Sequence, residues 1–484
     1  MDVSVITTGL RRIFYVVSPN ETSFKTLEDV PDYIQAAFPF FTTFIIVEAI
    51  VLALQKKNGI RINDGLVSIS AGVFSETSKF LLKGVIMFAY IYVYDHWKLF
   101  TLPWNSPWTW LICFIGVDFC YYWFHRMAHE VNVIWAAHQV HHSSEEYNFT
   151  TALRQSVVQN YTSIVFYLPL ALAVPPPMYM VHSQFNLLYQ FWIHTEIVHS
   201  LGPLEYILNT PSHHRVHHGR NRYCIDKNYG GTLIIWDRLF GTFTPETEEV
   251  VYGLTHPVAS FDPNYIQWCH YMHILRMTWV TPGLLNKLWV LLKGPGWVPG
   301  KSRLGCIEDI PDVHAPAEKY DPGVPAWCNL YCMLHMAITV LHYDHAVRYR
   351  EEMSAVLMLV LSVHFVYTLT CFGALFDHRN RASLMEFGRC LYCVVAAGYL
   401  EVFPPEGALA MSTLLCRAVH FVFVASLLLW GMQSLRHEGF LSTADDRRKP
   451  AVTHTQERWE SKRSITTATY GSGGHRLNVQ SKRE

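Results

Sequence analysis

Charge is scarce in this chain of 484 residues: only 16% are Asp, Glu, Lys or Arg, against roughly 25% in a typical soluble protein. Half of the residues are apolar, so an ordinary soluble surface is excluded and a membrane protein is indicated. There is no charge excess either. The formal net charge is −1, and no long basic block precedes the C-terminal tail, which removes the electrostatic footprint that nucleic acid requires. A disulfide framework is also missing. The eleven cysteines are odd in number and scattered, mostly inside apolar runs (Cys113, Cys120, Cys328, Cys371, Cys416), where cysteine behaves as a small hydrophobe. They read as reduced, intracellular and structural. The CxxC of Cys390 and Cys393 has no second pair or nearby histidine and reads as core. The first 36 residues are polar and mixed, without the apolar centre of a cleavable leader. Insertion is therefore expected to rely on the first hydrophobic helix.

What is present in quantity is long apolar sequence. A spanning helix needs about 20 residues, and candidates run over 37–54, 80–97, 107–124, 326–343, 355–376, 386–403 and 408–431. The shorter segments 161–174 and 178–194 flank Pro175-Pro176-Pro177 and read as a membrane-embedded helical hairpin. The segment before the first span carries three basic and five acidic residues, whereas Lys56, Lys57 and Arg61 follow it. This asymmetry places the following loop in the cytosol. Counting spans from there puts residue 125, His194 and the C-terminal tail on the same cytosolic side.

Histidine is concentrated where these segments end. HRMAHEVNVIWAAHQVHH, residues 125–142, contains His125 and His129 at i, i+4, then His138, His141 and His142 at i, i+3, i+4; His214, His217 and His218 in PSHHRVHHGRN repeat the second spacing. On helices, each group projects from one face, and helical bundles build metal sites from side chains on facing helices. Isolated histidines such as His182, His199, His335, His342 and His364 suit a membrane boundary. Eight clustered imidazoles do not, because unpaired polar rings near hydrocarbon cost free energy unless a metal or hydrogen bond satisfies them. His194, at the end of the returning hairpin helix, is a ninth candidate ligand. His213 is a weaker one, since His214 already completes the HxxHH spacing.

One zinc ion takes about four ligands, so eight or nine imidazoles imply two ions. HEVNV at 129–133 lacks the second histidine of the HExxH protease pattern. Outside the clusters only Glu196 and His199 have the ExxH spacing of carboxylate di-iron bundles. A histidine-rich dimetal site remains, and iron suits it because O₂ chemistry gives a reason to hold such a site beside lipid.

HxxxH followed by two HxxHH motifs resembles the fatty acid hydroxylase and sterol desaturase superfamily of membrane di-iron oxygenases. Over residues 118–156, 184–198 and 201–243, and in the presence of extra C-terminal spans, the chain is most similar to that superfamily's ether-lipid-cleaving branch. The resemblance implies an all-α, multi-pass protein of the endoplasmic reticulum membrane with a cytosolic-facing helical histidine-box domain. Its implied parts are an N-terminal segment (1–36), a membrane-embedded fatty acid hydroxylase-like catalytic region (37–320), C-terminal transmembrane helices (321–435) and a disordered cytosolic tail (436–484). It further implies a tetrahydrobiopterin-dependent monooxygenase with two iron atoms per chain and O₂. The implied substrates are 1-O-alkylglycerols and lyso-alkyl phospholipids, hydroxylated at the ether-linked carbon to a hemiacetal that collapses to a fatty aldehyde and a glycerol derivative. Membrane lipid and, indirectly, pterin-recycling enzymes are the implied partners. The absence of a fused haem domain, which many relatives carry, agrees with electrons arriving from a soluble pterin.

Other polar residues near the boxes have weaker warrant. Glu130 is a candidate catalytic residue, orienting an imidazole or meeting the pterin, or else a solvated helix charge. Arg154, after Asn148 and before Gln155, is a candidate for the substrate head group or for snorkelling at the boundary. Asp237 reads as ordering the fold. Two alternative functions are a cytochrome b5-dependent sterol or fatty acyl hydroxylase or desaturase, and a histidine-rich zinc transporter. Transporters place ligands near the bilayer midplane, whereas these lie at span ends.

Overall fold

The structure, a computed structural model, describes residues 3–55, 61–82, 84–402 and 413–435. The expected tail, 436–484, lies outside the described residues. Among those described, the regular elements are all helices and the only β-type pairings are two isolated bridges, Leu208 with Leu233 and Gly219 with Tyr252. An amphipathic helix α1 (Val3–Ile13) leads to α2 (Tyr33–Leu54), α3 (Ile62–Leu81), α4 (Val85–Trp97), α5 (Pro107–Glu130) and α6 (Asn132–His142). The hairpin of α7 (Gln159–Tyr167) and α8 (Pro176–Trp192) follows, then α9 (Pro211–His218), α10 (Pro263–Val280) and α11 (Leu284–Leu292). The chain ends with α12 (Ala326–Arg348), α13 (Ala355–Phe376), α14 (Ala382–Val402) and α15 (Thr413–Leu435).

Three described helices are long and apolar enough to cross a membrane: α2, α13 and residues Leu414–Ser434 of α15. Their apolar surface is largely turned outward, as lipid-facing helices require. The 80–97 stretch is not one helix, contrary to expectation. Gly84 takes a left-handed conformation (φ 82°) directly before α4, a state open to glycine because it lacks Cβ, and the 13 residues of α4 span only about 20 Å. Helices form on both sides of the proline triplet, with a 3₁₀ turn at Leu168–Leu172 between them and Pro176 at the first position of α8, where the missing N–H costs nothing. All eleven cysteines are unpaired.

Four helices, α1, α3, α10 and α11, have no counterpart in the sequence reading. α3 is built from INDGLVSISAGVFSETSKFL, with Asp64, Ser68, Ser70, Ala71 and Ser75 all buried. Its small residues allow close approach: a Cβ on Gly72 would lie 2.6 Å from the Leu153 carbonyl oxygen. α3 packs against α12 and α13 and reaches the segment that follows α6, so it ties the C-terminal helices to the histidine-bearing region.

Candidate metal centre

The geometry begins at one residue. Val131 is extended (φ −127°, ψ 114°) and interrupts what would be a continuous helix, so α5 and α6 meet at a corner. That corner turns His125 and His129 toward His138, His141 and His142. α9 closes the opposite side with His214, His217 and His218, and His194 enters just beyond α8.

All nine histidines are buried, and they fall into two groups. The coordinating nitrogens of His125, His129, His138, His142 and His217 lie within 4.8 Å of one another, as do those of His141, His194, His214 and His218. The i, i+4 pairs 125/129, 138/142 and 214/218 each stay within one group. His141 and His217, one and three residues out of that register, cross to the other group and interlock the two. Helical spacing thus accounts for the division.

The hydrogen bonds fix which nitrogens face inward. The Nδ1 groups of His125, His141, His194 and His217 donate to the carbonyl oxygens of Tyr229 (2.8 Å), Arg154 (3.1 Å), Gln190 (2.7 Å) and Lys227 (2.9 Å). His138 Nδ1 pairs with the Gln159 amide oxygen at 2.8 Å. A backbone carbonyl can only accept, so in the neutral rings each Nε2 is left with a lone pair. Yet these lone pairs converge: His125 to His138 at 3.0 Å and His194 to His141 at 3.2 Å. Protonation is opposed. Burial, followed by the neighbouring imidazoles, holds His125, His129, His141, His142, His214, His217 and His218 well below the ordinary histidine range, and burial pushes His138 down to about 4. His129 Nε2 and His217 Nε2 are also buried without a hydrogen-bond partner. The residues therefore fit a pair of metal cations, which would satisfy lone pairs that no proton can.

Behind the imidazoles lies a layer of carboxylates that the sequence reading largely missed. Asp118, fully buried on α5, accepts from the backbone N–H of Thr232 (2.7 Å) and Leu233 (3.0 Å), from Asn186 Nδ2 (2.8 Å) and from Trp236 Nε1 (2.9 Å). Asp237 accepts from the N–H groups of Tyr229 and Gly230, each at 2.7 Å, and from Thr242; this is the fold-ordering place expected for it. Together they set the 229–233 turn, whose Tyr229 carbonyl receives the His125 proton. Glu48, inside the membrane-length helix α2, accepts from Thr195, next to His194, and from the Phe149 N–H at 2.7 Å.

Two candidates occupy places other than those expected. The Arg154 guanidinium is buried, paired with Asp64 at 2.8 Å, and also donates to Ser68, Ser143 and the Asp64 carbonyl. The contacts of its guanidinium are all internal, and its own carbonyl holds His141. Glu130 accepts from Arg126 (2.8 Å) and Arg303 (2.6 Å), so its oxygens are turned to guanidinium groups and not to an imidazole. His213 stands outside both groups, with its ring against Phe243. His182 and His335 are buried and hydrogen-bonded, to Tyr15 and to Arg389 and Ser426, so neither is a boundary residue.

Residues 110–242 match the fatty acid hydroxylase family, and this span encloses all nine histidines, which places the protein in the class of membrane-embedded, histidine-rich hydroxylases. Residues 328–424 match the alkylglycerol monooxygenase C-terminal domain. The chain is 54% identical to alkylglycerol monooxygenase of Xenopus tropicalis over 80% of its length and 86% of the relative's. It is 50% identical to that of Homo sapiens (90% and 96%) and 46% identical to that of Danio rerio (89% and 96%). The chain belongs to the alkylglycerol monooxygenase family. No solved structure matches it.

Proposed function

We propose that this protein is a membrane di-iron monooxygenase that cleaves 1-O-alkylglycerols and lyso-alkyl phospholipids by hydroxylating the ether-linked carbon, with O₂ as oxidant and tetrahydrobiopterin as reductant. The convergence of unprotonated Nε2 atoms in two interlocked groups carries this reading, and the relatives' names supply the substrate class. One oxygen atom enters the C–H bond; the other leaves as water with two electrons from the pterin. The hemiacetal then breaks to a fatty aldehyde and a glycerol derivative.

Iron in the two histidine groups would supply the oxidising power that a C–H bond beside an ether oxygen requires, since acid/base groups do not attack it. The chain's residues do the rest. The nine imidazoles would hold the metals, the backbone carbonyls fix the ring orientation, and burial would keep bulk water from the reacting carbon. Arg154 positions His141, and Glu130 braces Arg126 and Arg303 at the end of the helix that carries His129. We place the protein in the endoplasmic reticulum membrane with the centre facing the cytosol, as the basic residues after α2 suggest. A soluble pterin and the enzymes that recycle it would meet it there.

Microsomes containing the protein, given a 1-O-alkylglycerol and O₂, should release long-chain aldehyde only when tetrahydrobiopterin is added. Turnover supported by cytochrome b5 and NADH without pterin would favour the sterol or acyl hydroxylase alternative. A product hydroxylated elsewhere with its ether intact would sink the substrate assignment and leave the metal centre standing.

A further inference from the structure

Between the histidine region and the C-terminal helices, residues 263–303 contain five Lys or Arg (Arg276, Lys287, Lys293, Lys301, Arg303), four Trp and no Asp or Glu. They form α10, α11 and the loop after them. α10 buries Ile266, Gln267 and Ile274 on one side and exposes Tyr265, Trp268, Met272, Leu275 and Trp279 on the other. The exposed positions follow i, i+3, i+7, i+10, i+14, a single stripe along the helix. At the tip of the turn Trp279 is 81% and Leu284 87% exposed, and Leu285 and Leu288 continue the apolar surface onto α11.

The opposite side is locked to the metal-site helix. The Asn132 N–H donates to the Lys293 carbonyl and its side chain to the Val290 carbonyl, both at 2.8 Å, and Gln139 on α6 donates to the Ile266 carbonyl at 2.9 Å. Ala136 packs with Ile274, Val290 and Trp297.

Neither helix is a span. α10 carries Gln267, His270, His273 and Arg276 within 18 residues, and the nine residues of α11 reach about 14 Å, half the roughly 30 Å of a hydrocarbon core. Lys301 and Arg303 pair with Asp309 (3.2 Å) and Glu130 (2.6 Å), which leaves Arg276, Lys287 and Lys293 as the cations of the hairpin itself; exposed Trp and Leu flanked by such cations are the composition of helices that lie in the lipid interface. Lys293 Nζ sits over the rings of Trp289 (4.9 Å) and Trp297 (4.7 Å), and Lys287 over Trp279 (6.0 Å). A protein–protein interface core is depleted of Lys; a bilayer with anionic head groups attracts it.

We propose that α10 and α11 form a monotopic hairpin that docks on the anionic surface of the membrane, with Trp279 and Leu284 inserted at head-group depth. Through Asn132 and Gln139 the hairpin sets the height and tilt of α6, and so of His138, His141 and His142, relative to the lipid from which an apolar substrate arrives. This surface is independent of which reaction the centre performs.

The test uses the full-length protein in lipid nanodiscs at one chain per disc, with a photoreactive phospholipid labelled near the head group or at the acyl-chain end, and peptide mapping by mass spectrometry. The shallow probe is expected to label 265–288 at least about fivefold more than the deep probe, with α2 labelled by the deep probe as an internal standard. Replacing anionic with zwitterionic lipid, or introducing Arg276→Glu with Lys287→Glu, should reduce labelling of the hairpin several-fold while α2 is unchanged. Absence of hairpin labelling, deep labelling equal to that of α2, or labelling that disappears in discs carrying two chains would overturn the proposal; the last would assign the surface to a second copy.

Discussion

His141 and His194 face each other through their Nε2 atoms at 3.2 Å, although both rings spend their Nδ1 proton on a backbone carbonyl. Two lone pairs at that distance repel unless a cation lies beside them. We therefore expect purified protein to contain two iron atoms per chain by elemental analysis. His141→Ala and His217→Ala, one from each group, should lower metal content and reduce turnover by more than about 100-fold. One zinc and no iron, or near-normal activity in either variant, would end the oxygenase reading.

Arg154 offers a sharper discrimination. Were it a head-group ligand, Arg154→Lys would raise KM at unchanged iron content and unchanged stability. Its burial against Asp64 predicts the reverse: removing one member of a buried ion pair costs about 3–5 kcal/mol, and lysine cannot reproduce contacts made from Nε, Nη1 and Nη2 together. Arg154→Ala should therefore lower the unfolding temperature and the iron bound per chain. A stable, iron-replete variant with only a weaker KM would restore the head-group role.

The ligand candidates were legible because helical spacing and residue type suffice to put imidazoles on one face. His194 was also legible as a ninth candidate ligand at the end of the returning helix, but its place beside His141 was not. What escaped was long-range and backbone-borne. The Tyr229, Arg154, Gln190 and Lys227 carbonyls carry no side-chain signal, and the Asp64–Arg154 and Asp118–Trp236 contacts join residues about 90 and 118 positions apart. The break at Gly84 had a visible cue, a glycine inside an apolar run, which hydropathy alone outweighed. α3 was missed for the opposite reason: its serines and glycines suggest a loop until the partner helices that need small residues are present.

Acid sensitivity follows from the same burial. His138 has a folded-state pKa near 4, below the roughly 6.5 of an unfolded histidine. Above pH 6.5 neither state is protonated, and the full stability is present. As pH falls from 6.5 toward 4 the unfolded chain takes up a proton that the folded ring refuses, so stability is lost, by about 3 kcal/mol for this residue alone once pH passes 4. Metal-free protein should show an unfolding temperature flat above pH 7 and falling steeply between pH 6.5 and 4, with His138→Phe flattening the decline. A rise in stability on acidification would contradict the neutral cage.

Orientation can be read from glycosylation sequons together with a terminal tag. Asn20-Glu21-Thr22 lies before α2, on the side placed in the lumen, with Asn20 exposed. Asn148 is buried; its side-chain oxygen accepts from the N–H and hydroxyl of Thr150, capping the short helix Phe149–Leu153. Asn160 donates to Ser75 on α3 at 3.3 Å. A glycan on Asn148 would require that cap to open beside the metal centre and would place the centre in the lumen. We expect a glycosidase-sensitive mobility shift, where one occurs, to vanish with Asn20→Gln and to be unaffected by Asn148→Gln or Asn160→Gln. Because Asn20 is close to the membrane, a C-terminal epitope provides the decisive arm: it should be reached by antibody when only the plasma membrane is permeabilised. An epitope accessible only after the internal membranes are opened would invert the topology and move the pterin's meeting place out of the cytosol.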